Sequence, residues 1–243
     1  AHANGGVGVA HVEGGIRSTD WTMPEEINRM VTDSITNYFF TTSETANENL
    51  ARSGVPKDRV FFVGNTMIDT LLANIDRLNK PSLWEDLGLA EGDYFVITLH
   101  RPANVDRGRD FIKLLTAIGE GVRGKPVIFP VHPRSAKSLE QVEGIPENIF
   151  LTEPQSYLEF NYLVKHAKAV ITDSGGITEE ATVMGIPCMT LRDNTERPET
   201  ITVGTNELVG TNPDALKPFL DRLFAGEWKE GGIPEKWDGK TGE

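Results

Sequence analysis

The chain has 243 residues, 38% of them hydrophobic and 25% charged, a composition typical of a globular protein with one large or two modest domains. Its net charge of −12 argues against a broad surface for nucleic acid or anionic membrane, although a small anion needs only local amides and arginines. No run approaches the roughly 18 apolar residues of a membrane span. The single cysteine, Cys188, has no partner for an internal disulfide, so we expect a reducing, cytoplasmic compartment.

Short apolar runs alternate with amphipathic segments along the chain. The apolar runs predict strands at residues 7–12, 37–42, 59–63, 94–99, 127–131, 149–151, 169–172 and 188–191. Helices are predicted to begin at Pro24 and after the cap Ser43, and to span residues 66–78, 111–122, 135–141, 157–166, 177–184 and 213–224. This alternation predicts an α/β fold with parallel sheets, whose ligands lie beyond the carboxyl ends of the strands.

Four of the predicted strands end in unusually polar segments, at residues 11–17, 99–104, 130–133 and 172–176. The last of these, Thr172-Asp173-Ser174-Gly175-Gly176, turns from a strand into a helix. Its glycines allow close approach of a ligand, Ser174 is able to cap the helix or donate to an oxygen, and the first helical amides favour an anion. An ordinary Ser-Gly helix start explains this segment equally well when it is taken alone.

Several acidic and basic side chains are candidates for a site near these strand ends. Glu180 follows Gly176 by one turn, where a ribose would lie, and Arg197 stands in a polar loop that is otherwise simply solvated. Glu13 and Glu25 are candidates for proton transfer, although Glu25 also suits a first helical turn and Glu13 has Arg17 as a nearby partner.

Two histidines also stand at strand ends, and the sequence contains no known cofactor motif. His100 is as much a site candidate as a buried structural histidine, and the position of His132 before Pro133 favours a structural role. No spacing of histidine, cysteine and carboxylates predicts a metal site. The sequence also lacks the glycine-rich motifs of ATP and NAD sites, so no cofactor is expected.

Together these segments closely resemble the non-hydrolysing UDP-N-acetylglucosamine 2-epimerases. The resemblance covers almost the whole chain and is carried by HVEGGIR (11–17), PEEINR (24–29), GNTMID (64–69), LHR (99–101), PVHP (130–133), TDSGGITEEA (172–181) and RDNTERPE (192–199). It implies two Rossmann-like domains facing across a cleft, with a GT-B-like architecture. It also implies interconversion of UDP-N-acetylglucosamine and UDP-N-acetylmannosamine, in which UDP leaves anti to give 2-acetamidoglucal and then returns.

The resemblance assigns roles to individual residues. It implies that Glu13 and Glu25 are acid/base carboxylates and that His100 stabilises or protonates the departing phosphate oxygen. Ser174, Gly175 and Gly176 match the diphosphate cradle, Glu180 the ribose contact, and Arg197 an arginine of the cleft that is expected to bind UDP with them. His132 matches a histidine that helps some bacterial members to bind an allosteric UDP-sugar. The family is usually dimeric, so a homodimer is expected.

The domain organisation is expected to be that of an incomplete member of this family. Residues 1–66 match the latter part of the N-terminal domain, residues 67–233 the UDP-binding domain, and residues 234–243 a tail leading back toward the first domain. The family's earlier segment, with a basic residue and a catalytic aspartate, and its closing helix have no counterpart here. We therefore expect an exposed sheet edge and weak or absent activity of this chain alone, which full activity in a UDP-release or epimer-ratio assay would contradict.

Three other functions remain open at this stage. A UDP-sugar glycosyltransferase would share the cradle and the ribose glutamate, a hydrolysing epimerase would release free N-acetylmannosamine, and a non-catalytic sensor would only bind UDP-sugar. The exact sugar also stays open, because a close branch of the family acts on a 2,3-diacetamido uronic acid.

Overall fold

The computed structural model describes residues 6–101, 104, 108–131, 136, 139 and 143–243. A first, three-stranded parallel sheet has the order β1-β2-β3, with β1 at Ala10–Val12, β2 at Tyr38–Thr41 and β3 at Val60–Phe62. The helices α1 (Pro24–Ser34) and α2 (Glu44–Arg52) make the crossovers. β1 lies at an edge of this sheet, and its Val12 is exposed.

The helices of this sheet begin where the sequence predicts. Pro24 occupies the first position of α1 and is followed by two acidic residues, which suit the positive end of the helix dipole. At α2, the Ser43 hydroxyl accepts a hydrogen bond from the Ala46 amide, as expected of a cap.

A second, six-stranded parallel sheet has the order β6-β5-β4-β7-β8-β9. Its strands are β4 (Phe95–Thr98), β5 (Val127–Pro130), β6 (Ile149–Thr152), β7 (Ala169–Thr172), β8 (Cys188–Thr190) and β9 (Asn206–Leu208). Because β4 is followed by β5 on one side and has β7 on the other, the strand order reverses between β4 and β7. Ligands of open α/β sheets bind at the carboxyl ends of such a pair.

Helices cover both faces of the second sheet. They are α3 (Thr66–Asn74), α4 (Leu83–Asp86), α5 (Gly108–Gly121), α6 (Tyr157–His166), α7 (Gly175–Val183), α8 (Pro198–Thr202) and α9 (Leu216–Phe224). Alternate residues of β4 point to two separate cores: Phe95 and Ile97 pack with α5 and α9, and Val96 packs with α6. Each such side chain contributes about 1.5–3 kcal/mol by its burial. The predicted α/β fold with parallel sheets is thus confirmed.

Some predicted elements differ from the structure in extent. The first strand is shorter than residues 7–12, and the helix predicted over 66–78 ends as an α-helix at Asn74 and continues as a 3₁₀ turn at Ile75–Arg77. The helix predicted over 213–224 starts with a 3₁₀ turn, Pro213–Ala215. Most of the helix predicted at 135–141 falls outside the described residues. The short elements α4, α8 and β9 were not predicted.

The last residues of the chain return to the first sheet. Trp237 is buried against Ile68 and Leu71, and its indole N–H donates to the carbonyl of Thr42 at 2.9 Å. Lys236 donates to the carbonyl of Phe62 at 2.6 Å. The domain boundaries at residues 66 and 233 stay predictions. None of the helices in the described ranges is both long and apolar enough to cross a bilayer.

Candidate active site

The carboxyl ends of β4 and β7 are joined by Asp173. Thr98 and Thr172 are register partners, so the two strands end side by side. The fully buried Asp173 carboxylate accepts hydrogen bonds from the backbone amides of His100 and Arg101, at 3.1 and 2.9 Å, and from the Asn104 side chain at 3.0 Å. Although burial favours the neutral form, the hydrogen bonds from His100 and Asn104 lower the pKa of Asp173 below its usual value.

His100 is oriented by the same carboxylate. Its Nδ1 lies 2.8 Å from Oδ1 of Asp173, and 41% of its side chain is exposed. A carboxylate beside Nδ1 selects the tautomer with hydrogen on that nitrogen. His100 is therefore held at the end of β4 by Asp173 with much of its side chain exposed.

The glycine turn after β7 opens helix α7 as predicted. Ser174 occupies the cap position, as the sequence allows, but its side chain makes no capping hydrogen bond. Its amide instead donates to the Thr172 hydroxyl at 2.9 Å. A Cβ on Gly175 would lie 3.0 Å from Oε1 of Glu196, so glycine permits a close approach here.

Three arginines surround Glu196 beside this turn. Its carboxylate lies 2.6 Å from Arg192, 3.6 Å from Arg29 of α1 and 3.9 Å from Arg101. Although burial opposes ionisation, the hydrogen bond and charge of Arg192 lower the pKa of Glu196 to about 2. Glu26 also lies 3.6 Å from Arg29, so the three guanidinium groups beside the helix start face more than one carboxylate.

Arg192 has one donor that no described residue engages. All its hydrogen bonds run through Nη2, whereas the buried Nη1 has no hydrogen-bond partner in the described part of the chain. This Nη1 lies 4.0 Å from where a Cβ of Gly175 would stand, which puts it next to the first amides of α7. An unsatisfied buried cationic donor beside a helix N-terminus suits an anion.

Glu13 lies on a constrained turn after β1. Its backbone φ of +65° is in the left-handed region, which costs about 1–3 kcal/mol and is kept where surrounding contacts enforce it. Gly15 follows at φ +80°, where a Cβ would come 2.5 Å from the Ala46 carbonyl. The Glu13 carboxylate accepts a hydrogen bond from Arg197 at 3.3 Å. Arg17 instead donates to Asp33, so the alternative pairing of Glu13 with Arg17 is wrong.

Glu25 and Glu180 occupy different sides of the site. Glu25 is exposed in the first turn of α1. Burial and the charge of Arg192 lower the pKa of Arg101, and the negative charge of Glu25 acts in the opposite direction. Glu180 is buried on α7, facing Tyr157 and Asn161 of α6, and burial raises its pKa. His132 lies outside the described residues. The roles predicted for all these residues remain predictions.

A cavity of about 240 Å³ opens between His100 and Ser174. Its walls are mostly apolar and are formed by Thr98, Leu99, His100, Pro130, Pro154, Gln155, Phe160, Ser174 and Ile177. A larger cavity of about 600 Å³ lies between α5 and residues 211–214 and includes none of the predicted site residues, so the smaller one is the better candidate for a ligand. Within the described ranges, no group of three or more histidine, cysteine and acidic residues is placed to hold a metal ion.

Sequence reasoning left several of these residues without a role. Asp173, Arg192, Glu179 and Glu196 all stood in the quoted segments, but no function was given to them. A usable signal was the charge of Arg192 directly after the strand predicted at 188–191, because it falls at a strand end like the other candidates. For Glu179 there was no local signal, because its partners are far away along the chain.

The fold defines an α/β protein with parallel sheets, and its structural neighbours are GT-B-like. The sequence model of the UDP-N-acetylglucosamine 2-epimerase family matches residues 1–233. The chain belongs to this family, and the resemblance found in the sequence is thereby confirmed.

Three comparisons describe this relationship. A UDP-N-acetylglucosamine 2-epimerase of Methanocaldococcus jannaschii is 44% identical over 98% of this chain and 67% of its own length. A crystal structure of that organism's UDP-GlcNAc 2-epimerase with UDP-GlcNAc and UDP aligns at TM-score 0.82 and 41% identity, covering 95% of this chain and 66% of that one. A UDP-2,3-diacetamido-2,3-dideoxy-D-glucuronate 2-epimerase of Pseudomonas aeruginosa is 36% identical over 86% of this chain.

The chain is shorter than these relatives. It spans 59 to 67% of the length of the curated relatives it matches.

Proposed function

We propose that the protein interconverts UDP-N-acetylglucosamine and UDP-N-acetylmannosamine by eliminating UDP and adding it back. One observation supports the proposal: Arg197 donates to the constrained carboxylate of Glu13, while the neighbouring Glu196 lies against the turn at Gly175 that follows the strand end beside His100. An anion site alone would explain only binding. A carboxylate and a histidine facing that site supply the proton transfers that an elimination requires.

In the elimination, a carboxylate takes the C2 proton while the C1–O bond to UDP breaks. Glu13 and Glu25 are the proposed acid/base pair, one for each face of the sugar. The C2 proton passes to one carboxylate, and the electrons of the C–H bond form the double bond of 2-acetamidoglucal. Re-addition of UDP to C1, with proton delivery to the other face of C2, gives the epimer.

The departing UDP needs its charge stabilised as the C1–O bond breaks. We assign this to His100, whose Nδ1 lies 2.8 Å from Asp173, and to the amides of Gly175 and Gly176. The unsatisfied Nη1 of Arg192 adds a cation at the same point. Glu180 is assigned to the ribose and Arg197 to the cleft wall, and an allosteric role of His132 stays a proposal from family resemblance.

Deuterium uptake tests this proposal against its rivals. In heavy water, the protein is expected to exchange the C2 proton of UDP-N-acetylglucosamine and to produce UDP-N-acetylmannosamine, only weakly where these 243 residues act alone, and both products are visible by proton NMR. A glycosyltransferase or a sensor binds UDP without this exchange, and free N-acetylmannosamine would indicate a hydrolysing epimerase.

The identity of the sugar is decided by testing the corresponding 2,3-diacetamido uronic acid substrate in parallel. The higher identity to the UDP-N-acetylglucosamine enzyme, 44% against 36%, supports the first substrate.

Replacing Arg192 by Gln is expected to weaken UDP binding about 10- to 100-fold, because a buried charge-assisted hydrogen bond to phosphate contributes about 1.5–3 kcal/mol. Isothermal titration calorimetry with UDP measures the effect. Arg123→Gln is the matched control, since Arg123 is exposed and pairs with Asp221. Because the substitution also removes the partner of Glu196, the double variant Arg192→Gln/Glu196→Gln separates lost stability from lost affinity. An unchanged Kd in a folded Arg192→Gln protein would contradict the assignment.

We further propose that the protein is cytoplasmic and forms a homodimer. The single, buried Cys188 supports a reducing compartment, and the family resemblance supports dimerisation. Light scattering coupled to size-exclusion chromatography measures the oligomeric state.

A further inference from the structure

The buried carboxylate of Glu179 lies next to the proposed site and takes no part in the proton transfers proposed above. Glu179 precedes Glu180 on α7 and is only 1% exposed. Its Oε1 accepts hydrogen bonds from the Asn65 side chain at 2.8 Å and from Nε of Arg197 at 2.5 Å. A carboxylate this deeply buried costs several kcal/mol unless its partners offset the lost hydration.

Arg197 links this carboxylate to the proposed proton-transfer residue. The guanidinium is itself buried and donates through Nε to Glu179 and through Nη2 to Glu13 at 3.3 Å. The linked residues come from four parts of the fold: the cap of α3, helix α7, the loop before α8 and the loop after β1. The contact therefore crosses from the second sheet to the first.

Two features separate this arrangement from a purely structural ion pair. First, Nε of Arg197 donates to Glu179 and Nη2 donates to Glu13. The position of Glu179 therefore sets the direction in which Nη2 points toward Glu13. Second, Glu13 sits on a strained left-handed backbone, and such strain is common where a side chain must be aimed. A pair present for stability alone needs neither feature.

We propose that Glu179 is a positioning residue for the proton transfer: it holds Arg197 so that the guanidinium fixes the Glu13 carboxylate in the cleft. This inference rests on the proposed function, in which Glu13 moves the C2 proton. Glu179 acts through Arg197 and does not need to touch the substrate.

The charges around Glu179 give the network a pH dependence. Burial raises the pKa of Glu179 to about 7, Arg197 opposes this rise and Glu13 adds to it, while Asn65 supplies a neutral donor. Arg197 also faces Glu196 and Glu199. Glu179 therefore gains a proton as the pH falls through about 7, and its hold on Arg197 weakens.

The test uses Glu179→Gln, which keeps the shape and removes the charge, and Glu179→Ala, which removes both. We expect kcat for C2 exchange to fall about 10-fold and 100-fold respectively, the size of loss that a misplaced reacting group causes. UDP affinity, measured by calorimetry, should stay within about threefold. In the unsubstituted protein, kcat should fall as the pH drops through about 7. In Glu179→Gln this fall should be absent. Glu199→Gln, which also removes a buried carboxylate near Arg197, is the matched control and should keep both kcat and its pH profile.

A second readout does not depend on catalysis. The ¹⁵N–¹H resonance of Arg197 Nε, assigned by its loss in Arg197→Lys, should move on Glu179→Gln and stay in place in Glu199→Gln. A lower melting temperature with unchanged kcat and an unchanged pH profile would overturn the inference and leave the proposed function intact. An unmoved Nε resonance would overturn it as well. Absence of exchange in the unsubstituted protein would instead overturn the proposed function, and this inference with it.

Discussion

Replacing Glu13 by Gln is expected to lower the rate of C2 proton exchange by about 10²- to 10⁴-fold, the usual contribution of a positioned general base. Glutamine keeps the size of the side chain and accepts a hydrogen bond from Arg197, but it takes no proton at neutral pH. UDP binding should change little, because Glu13 is not among the groups proposed to hold UDP. Exchange is followed by proton NMR in heavy water and UDP binding by calorimetry.

Replacing each of the two carboxylates is expected to affect exchange into the two epimers differently. If Glu13 serves one face of the sugar and Glu25 the other, each single Gln variant should lose exchange into one epimer more strongly than into the other. Reactions started separately from each UDP-sugar measure this asymmetry. Glu48→Gln on the exposed surface of α2 is the control. Full exchange in Glu13→Gln from both epimers would contradict the assignment and mean that another group takes the C2 proton.

The sequence predicted most of the second sheet because its elements carry strong local signals. Helix α6 begins and ends where predicted, since Ser156 and Glu159 form a capping box ahead of its apolar residues. Strand β7 is a continuous buried run, which only a central parallel strand tolerates. In contrast, β9 has only three residues, Asn206, Glu207 and Leu208, and five-residue α8 begins in a polar loop. Neither offers enough periodicity to be recognised.

The site was only partly predictable for a related reason. The rule that ligands lie beyond strand ends was enough to find His100 and the turn at Ser174. The pairing of Glu13 with Arg197 joins residues 184 positions apart, and no local pattern encodes it. The nearest opposite charge, Arg17, was the natural guess for Glu13. It pairs with Asp33 at 2.6 Å instead, because α1 brings that carboxylate closer.

Replacing Asp173 by Ala is expected to destabilise the protein by about 3–5 kcal/mol, the usual cost of removing one partner from a buried charged network. Three backbone or side-chain N–H groups, from His100, Arg101 and Asn104, would lose their acceptor at once. Guanidinium unfolding at pH 7 measures the loss. Asp58→Asn, in an exposed turn, is the control and should stay within about 0.5 kcal/mol.

The pH dependence of this loss follows from the lowered pKa of Asp173. Since the folded protein holds this proton less tightly than the unfolded chain, whose aspartates titrate near 3.8, the carboxylate stabilises the fold above about pH 4. That contribution disappears as the pH falls through the lower folded-state pKa. The difference in unfolding free energy between the protein and Asp173→Asn should therefore shrink from pH 7 to pH 3. A constant difference would mean that the charge of Asp173 is not what stabilises the strand ends.

Asp173→Asn also separates the structural role of this residue from its catalytic one. The amide keeps the shape of the side chain but removes the negative charge beside Nδ1 of His100. We expect kcat to fall about 10²-fold or more even in variant protein that is fully folded, because the departing phosphate then loses its proton donor. A folded Asp173→Asn protein with normal kcat would mean that His100 does not act through its Nδ1 partner. The same carboxylate would then serve only to join β4 to β7.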